Sequence, residues 1–388
     1  MRLKPTRGLE SPRSLFLVPH PSSLKFMSPQ NEPMRSVHTN NFPHILDRLG
    51  ISLVVSTYQA GKLIVLRADK DRINTHFRIF KKPMGIAANF HKIAIGCSSQ
   101  IWELNNIPAV AAKVEPKGKH DACFIPRQSH ITGDIDIHEM EWGGQNSSDL
   151  WFVNTRFSCL CTLDKNYSFV PRWRPNFVSA LTPEDRCHLN GLAMVNHLPR
   201  YVTALGATNT MGGWRENKAS GGIAIDVANN EIISRHISMP HSPRWYRERL
   251  WILESGRGSI SICDRNTGKL ETITVLPGFT RGIDFYGSLA FIGLSQVRET
   301  AVFSGIPLTE QLNERICGVW VVNLETAKTI AFLKFEDAVQ EIFAVRVLPK
   351  IRFPEIIDWD EQLIGSSYVL PDEALADVPQ ERLSIDNG

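Results

Sequence analysis

The chain has 388 residues, 43% of them hydrophobic and 21% charged, with a formal charge of +3. That balance describes a soluble globular protein with ample core, and the charge is too small to argue for a nucleic-acid partner. No apolar run approaches the roughly 18 residues that would span a bilayer, so no membrane segment is expected.

Taken in order, the chain opens with a Pro- and Ser-rich basic stretch, and residues 1–44 read as a disordered leader. Its longest apolar run, LFLV at 15–18, is shorter than the roughly 7 to 15 residues of a signal-peptide core. Three strand-like runs follow at 53–57, 62–67 and 77–80. KPMGIAA (82–88) is then the first of six related runs, followed by DIHEMEW (136–142), HLNGLAM (188–194), MPHSPRW (239–245), TRGIDF (280–285) and VQEIFAV (339–345). They recur about every fifty residues, the period of four-stranded propeller blades. Between them stand short β-branched runs bounded by Gly, Asn, Asp or Ser, such as LWFVNT (150–155), SCLCTLD (158–164), RLWILES (249–255) and SISICD (259–264). Four strands per unit follow.

The predicted fold is therefore all-β, a six-bladed propeller over residues 49–353. Its last blade takes one strand from the C-terminal run and three from the N-terminal runs, which closes the ring and leaves no major edge unpaired. Residues 354–388 form an acidic tail expected to wrap the outside or stay mobile. Irregular insertions are expected at 105–131, 173–186, 208–221 and 296–315, because propellers carry function on loops and at the channel mouth.

Aligned on their glycine or its substitute, the six runs put Met84, His138, Asn190, His241, Arg281 and Gln340 in one column, and Gly85, Glu139, Gly191, Ser242, Gly282 and Glu341 in the next. Inner strands of a propeller converge on one channel, so these groups are expected near one axis with His188 and Arg244 close by. Glu139, Asn190 and Glu341 offer oxygen ligands for a divalent metal such as Ca²⁺, and the histidines offer nitrogen for a transition metal. His138 and His241 are candidate acid–base groups, and Arg281 and Arg244 candidate clamps for an anion. The competing structural reading is that these groups satisfy one another and fill the channel. Because the site is read as lying in the channel, His241→Ala and Glu139→Gln are expected to leave folding nearly intact. The seven cysteines are odd in number and scattered, which points to free thiols in the cytoplasm; Cys187, beside His188, is the candidate reactive thiol, and Cys159 with Cys161 share one strand face.

The runs LWFVNTRFSCLCTLD, SFVPRWRP, EDRCHLNGLAM, GGWR, MPHSPRW, SGRGS, PGFTRGIDF, FIGLSQVRE and GVWVVNLET resemble those of an uncharacterised family of bacterial conserved hypothetical proteins, found notably in cyanobacteria and proteobacteria. The resemblance spans roughly residues 49–354; it implies a propeller and transfers no functional residues. More distantly, NGLA at 190–193 is similar to the inner strands of six-bladed gluconolactonase and strictosidine-synthase-type propellers, a superfamily that includes Ca²⁺-dependent lactonases. This chain places His and Arg where acids and Asn would complete that metal shell, which weakens the lactonase reading.

Two functions are carried forward. One is a small-molecule enzyme, hydrolase or lyase-like, acting on an anionic or sugar-derived substrate at the channel. The other is a non-catalytic binding module that recognises a carbohydrate, peptide or protein through Trp and Arg on its top face. Exposed Trp214 and Trp245 would favour the second, and strongly shifted histidines the first.

Overall fold

The computed structural model describes residues 14–16, 34–296, 305–311, 316–336, 338–365, 367–379 and 383–384. Six antiparallel sheets arranged around a channel form a six-bladed β-propeller. Blade 1 runs from its inner strand Ile86–Ala88 through Lys92–Gly96 and Gln100–Asn106 to Ala122–Ile131. Blades 2, 3, 4 and 5 begin with Ile137–Gly143, Leu189–Val195, Pro240–Tyr246 and Phe279–Tyr286. Blade 6 joins Ala344–Pro349 from the C-terminal part to Ile51–Thr57, Lys62–Asp69 and Arg72–Ile79 from the N-terminal part, the mixed closure the repeat predicts.

Blade 6 shows why these sequences make stacked sheets. Successive strand residues point to opposite faces, so Leu53 and Val55 pack toward blade 5 with Phe291 and Val321, while Val54 packs toward blade 1 with Ile86 and Ile95. A central strand buried on both faces loses polar alternation, and every residue of Ile51–Thr57 is buried. The blades are also tied by side-chain hydroxyls near the channel. Ser56 donates to the Met84 carbonyl at 2.5 Å, Thr155 to Leu189 at 2.6 Å, Ser255 to Thr280 at 2.5 Å and Ser295 to Ile342 at 2.9 Å. In each case the end of one blade's second strand reaches the start of the next blade's inner strand or the residues just before it. Each such bond satisfies a buried carbonyl that would otherwise cost about 1–3 kcal/mol.

The glycine column has a steric cause. A Cβ at Gly85 would strike the His138 carbonyl and one at Gly191 the Pro243 ring, because neighbouring inner strands crowd together here. Glycine occupies this column in blades 1, 3 and 5, and a polar side chain occupies it in blades 2, 4 and 6. One blade yields the space the next one uses.

Two expectations are corrected, and a third, for the tail, is resolved in favour of packing on the outside. The leader does not extend to residue 44 as an unstructured segment, since Ser36–His38 pairs with the outer strand of blade 5 and the helix Phe42–Leu49 buries Phe42 and Leu46 against blades 5 and 6. Residues 1–13 and 17–33 lie outside the described residues. The stretch 105–131 is not all insertion, because Ala122–Ile131 is the outer strand of blade 1. The tail begins with an added strand, Pro354–Ile356, parallel to Ala122–Ile131, and the Glu355 carboxylate is buried among Arg78 at 2.7 Å, His76 at 2.8 Å and His120 at 3.4 Å.

Candidate functional site

The polar column is divided between two levels of the channel. At one level, where the inner strands begin, a cavity of 240 Å³ is lined by His138, His188, His241, Arg281, Trp214 and Tyr58 among others. The turn entering each of blades 1 to 4 holds its residue two before the column in the left-handed region: Lys82, Asp136, His188 and Met239 have φ between 47° and 54°. For residues with a Cβ this conformation costs about 1–3 kcal/mol and marks a position held by its surroundings. Its effect is visible in two blades, where the turned carbonyl faces the histidine. The Nδ1–H of His138 donates to the Asp136 carbonyl at 2.8 Å, and that of His241 to the Met239 carbonyl at 3.0 Å.

The tautomers follow from those bonds. Thr155 and Ser255, whose hydroxyl protons go to the next blade, also receive the Nδ1–H of His138 at 2.8 Å and of His241 at 3.0 Å. Nε2 of each ring is left as an acceptor. Arg281, which can only donate, directs an Nη2–H at His138 Nε2 at 3.1 Å, while its guanidinium lies 3.8 Å from the Phe343 ring centre. Among the described residues nothing hydrogen-bonds His241 Nε2. His188 donates Nδ1–H to both oxygens of Asp185 at 3.0 Å, and Asp185 also takes the Trp214 indole N–H at 2.9 Å. His138 and His188 meet edge to face at 5.0 Å, and His188 lies 4.5 Å from the Trp214 ring.

Burial sets the protonation. It pushes His138 down to about 3, although the Asp136 carboxylate opposes the shift. His241 falls well below the usual imidazole range, first through burial and then through the Arg281 cation and the other two histidines. Arg281 is itself lowered by burial, while Tyr58, Glu341 and Asp136 oppose the shift. Near neutral pH the cavity thus holds a guanidinium and two uncharged imidazoles with acceptor nitrogens.

Arg244 and Glu139 lie elsewhere. Arg244 Nη2 binds Glu139 Oε1 at 2.6 Å, Arg346 Nη2 reaches the same oxygen at 3.3 Å, and Arg346 Nη1 binds Glu141 at 2.6 Å. All three Glu139, Arg244 and Arg346 side chains are below 10% exposed. Arg244 is therefore a partner of Glu139 and does not join Arg281 at the histidines. The buried pairing instead predicts that Glu139→Gln destabilises the fold. Asn190 has both ends of its amide engaged, donating to the Pro240 carbonyl at 2.9 Å and accepting from Thr203 at 2.8 Å. Glu341 is buried and does not line the histidine cavity. Among the described residues no three of His, Cys, Asp and Glu form a group that could hold a metal, and Glu139 and Asn190 are already bonded to protein.

Cys187 is fully buried, and burial pushes its thiol up to about 12, which disfavours the thiolate a nucleophile needs. Cys159 and Cys161 are packed 3.5 Å apart in the core. Trp214 is 3% exposed, which removes one of the two side chains a Trp-faced binding surface would present. The sequence reading missed Asp185 and Thr155 as partners of the histidines, and Glu141, Asp284 and Arg346 as a second ring. Part of that ring was visible as a further column: Glu141, Arg244 and Asp284 stand three residues after His138, His241 and Arg281, whereas Arg346 stands six after Gln340.

A family model described as a domain of unknown function (DUF4915) matches residues 40–357. A search of the curated proteins returned no match. Among solved structures, the chain is similar to one from a nidogen/laminin complex, at 8% identity and a TM-score of 0.49, covering 77% of this chain and 99% of that one. It is similar also to a protein of unknown function from Bacteroides caccae, at 7% identity and a TM-score of 0.49, covering 77% and 98%. A third is virginiamycin B lyase from Staphylococcus aureus, at 10% identity and a TM-score of 0.39, covering 78% and 100%. At these identities and TM-scores the likenesses say nothing about this chain's chemistry.

Proposed function

The chain belongs to the DUF4915 family of unknown function, and on that premise we propose that it is a small-molecule enzyme of hydrolase or lyase type, acting on an anionic substrate at the histidine end of the channel. The observation that carries this reading is the pairing of a buried guanidinium with imidazoles whose Nδ1–H is tied back to protein, leaving Nε2 as acceptor. In this reading Arg281 takes the substrate's carboxylate, phosphate or sulfate oxygen, and His138 holds the guanidinium in place. His241 Nε2 takes a proton from water or from a carbon next to the bound anion. His188, held through Nδ1 by Asp185, relays the proton that His241 has taken to the leaving group.

Charge supports this assignment. After burial, the Arg281 cation is the largest influence that holds His241 neutral, and a bound anion neutralises it. Substrate arrival therefore raises the basicity of His241 when a base is needed. Lys82, 3.5 Å from Asp136 on the cavity wall, adds a second cation for a doubly charged substrate.

The test is a turnover screen of lactones, carboxylic and phosphate esters, hydroxy acids and sugar acids with the wild type, His241→Gln and Arg281→Met. Turnover that falls about 10²–10⁴-fold in His241→Gln, with KM raised in Arg281→Met, is expected. Binding of anions without turnover, unaffected by His241→Gln, would instead make the chain a binding module.

A further inference from the structure

A second cavity, of 690 Å³, opens at the other end of the channel, lined by residues of all six inner strands and of the hairpins that follow them in blades 1 and 6. Its lining is amphipathic. Glu141, Arg244, Asp284 and Arg346 supply charge, and Trp245 and Phe285 supply aromatic surface. At this size it takes a small organic molecule.

Most donors of the two arginines are engaged by protein, although Arg244 Nε has no hydrogen-bond partner among the described residues. Arg346 directs Nε at the Ile86 carbonyl at 2.7 Å, Nη2 at the Met140 carbonyl at 2.8 Å and Nη1 at Glu141 at 2.6 Å. Arg244 directs Nη1 at the Pro243 carbonyl at 2.9 Å and Nη2 at Glu139 at 2.6 Å. The carboxylates keep acceptor capacity. Glu141 has one close cation, Arg346, with Arg244 Nε at 3.8 Å. Among the described residues Asp284 receives only backbone N–H groups, from Phe285 and from Val347, each at 2.9 Å, and these do not cancel its charge. Three carboxylates, those of Glu139, Glu141 and Asp284, thus face two guanidiniums. Burial pushes the Glu141 carboxyl up, Glu139 and Asp284 add to the shift, and the two arginines do not offset it. A further positive charge would stabilise this set. Lys350 and His91 stand at the exposed mouth, where water weakens their charge without removing it.

We propose that this cavity binds an organic cation, a protonated amine on an apolar or aromatic body, with its ammonium taken by Glu141 and Asp284 and its body against Trp245 and Phe285. The aromatic walls favour such a ligand through apolar burial. The site is separate from the histidine cavity, with which it shares no lining residue.

Isothermal titration of the full chain with 2-phenylethylamine, its N-acetyl derivative and 3-phenylpropionate, all at pH 7.5, tests this. The amine is expected to bind one to one, and the neutral and anionic analogues at least tenfold more weakly. Lys350→Glu, an exposed substitution that keeps the fold, is expected to tighten amine binding several-fold, and Asp284→Asn to weaken it at least tenfold. No binding of the amine at millimolar concentration, binding of the N-acetyl compound as tight as the amine, preference for the carboxylate, or weaker amine binding in Lys350→Glu would each overturn the proposal. Amine binding that persists in Arg281→Met places the ligand here, and its loss in that variant would overturn the assignment to this end.

Discussion

Replacing Glu139 by Gln removes the charge that two buried guanidiniums share. Arg244 loses its 2.6 Å contact and Arg346 its 3.3 Å contact, while both side chains stay below 10% exposed. Breaking a buried pair by removing one partner costs about 3–5 kcal/mol, because the other charge stays out of water uncompensated. Glu141 remains within 2.6 Å of Arg346, so the lower end, about 3 kcal/mol, applies. At roughly 2–4 °C per kcal/mol for larger domains, the melting temperature should fall by about 6–12 °C. Urea denaturation and calorimetry at pH 7.5 measure this directly. The double variant Glu139→Gln/Arg244→Met should recover part of the loss, since it removes one of the stranded cations. A single variant within about 1 kcal/mol of wild type, or a double variant that loses the sum of both singles, would refute the reasoning.

Other outcomes follow from the same geometry. His138 is held near 3 by burial, below its value in the unfolded chain, so the unfolded state binds more protons between about pH 6.5 and 3 and stability falls as pH drops through that window; His138→Gln should flatten the decline in melting temperature between pH 7 and 5. Glu355 is pushed up by burial, but bonds from His76 and Arg78 outweigh this and hold it down to about 2. Its contribution is therefore present above the unfolded value and lost only as pH falls toward 2, and Glu355→Gln should speed amide exchange of Pro354–Ile356 and Ala122–Ile131 at pH 7. All seven cysteines are free and buried, with Cys97 and Cys187 pushed up to about 12, so native protein should react with a thiol reagent slowly and the unfolded chain should titrate seven thiols.

The fold was legible because blade repetition writes itself into the sequence. Six runs sharing one glycine-or-polar column gave the inner strands, and strand runs on both sides of them gave the mixed closure. Local signals misplaced the edges. Nothing near Ser36–His38 announces that its partner is the blade 5 strand Lys328–Phe335, or near Pro354–Ile356 that it adds to blade 1, because those pairings are set by tertiary contact. Column alignment correctly brought His138, His241 and Arg281 together, but it treated the channel as one layer. A strand residue three positions further on lies at the other end, which is why Arg244 pairs with Glu139 and faces the second cavity. The Ser and Thr partners of the histidines come from neighbouring strands, and no spacing along the chain encodes them.

The account rests on His138 and His241 presenting unprotonated Nε2 atoms to a cavity that holds Arg281. Long-range ¹H–¹⁵N correlation spectra of protein labelled with ¹⁵N-histidine, recorded at pH 6, report the protonation and tautomer of each ring. Two neutral imidazoles protonated at Nδ1, assigned by their loss in His138→Gln and His241→Gln, are the result expected here. Imidazolium signals for those rings, or protonation at Nε2, would contradict it.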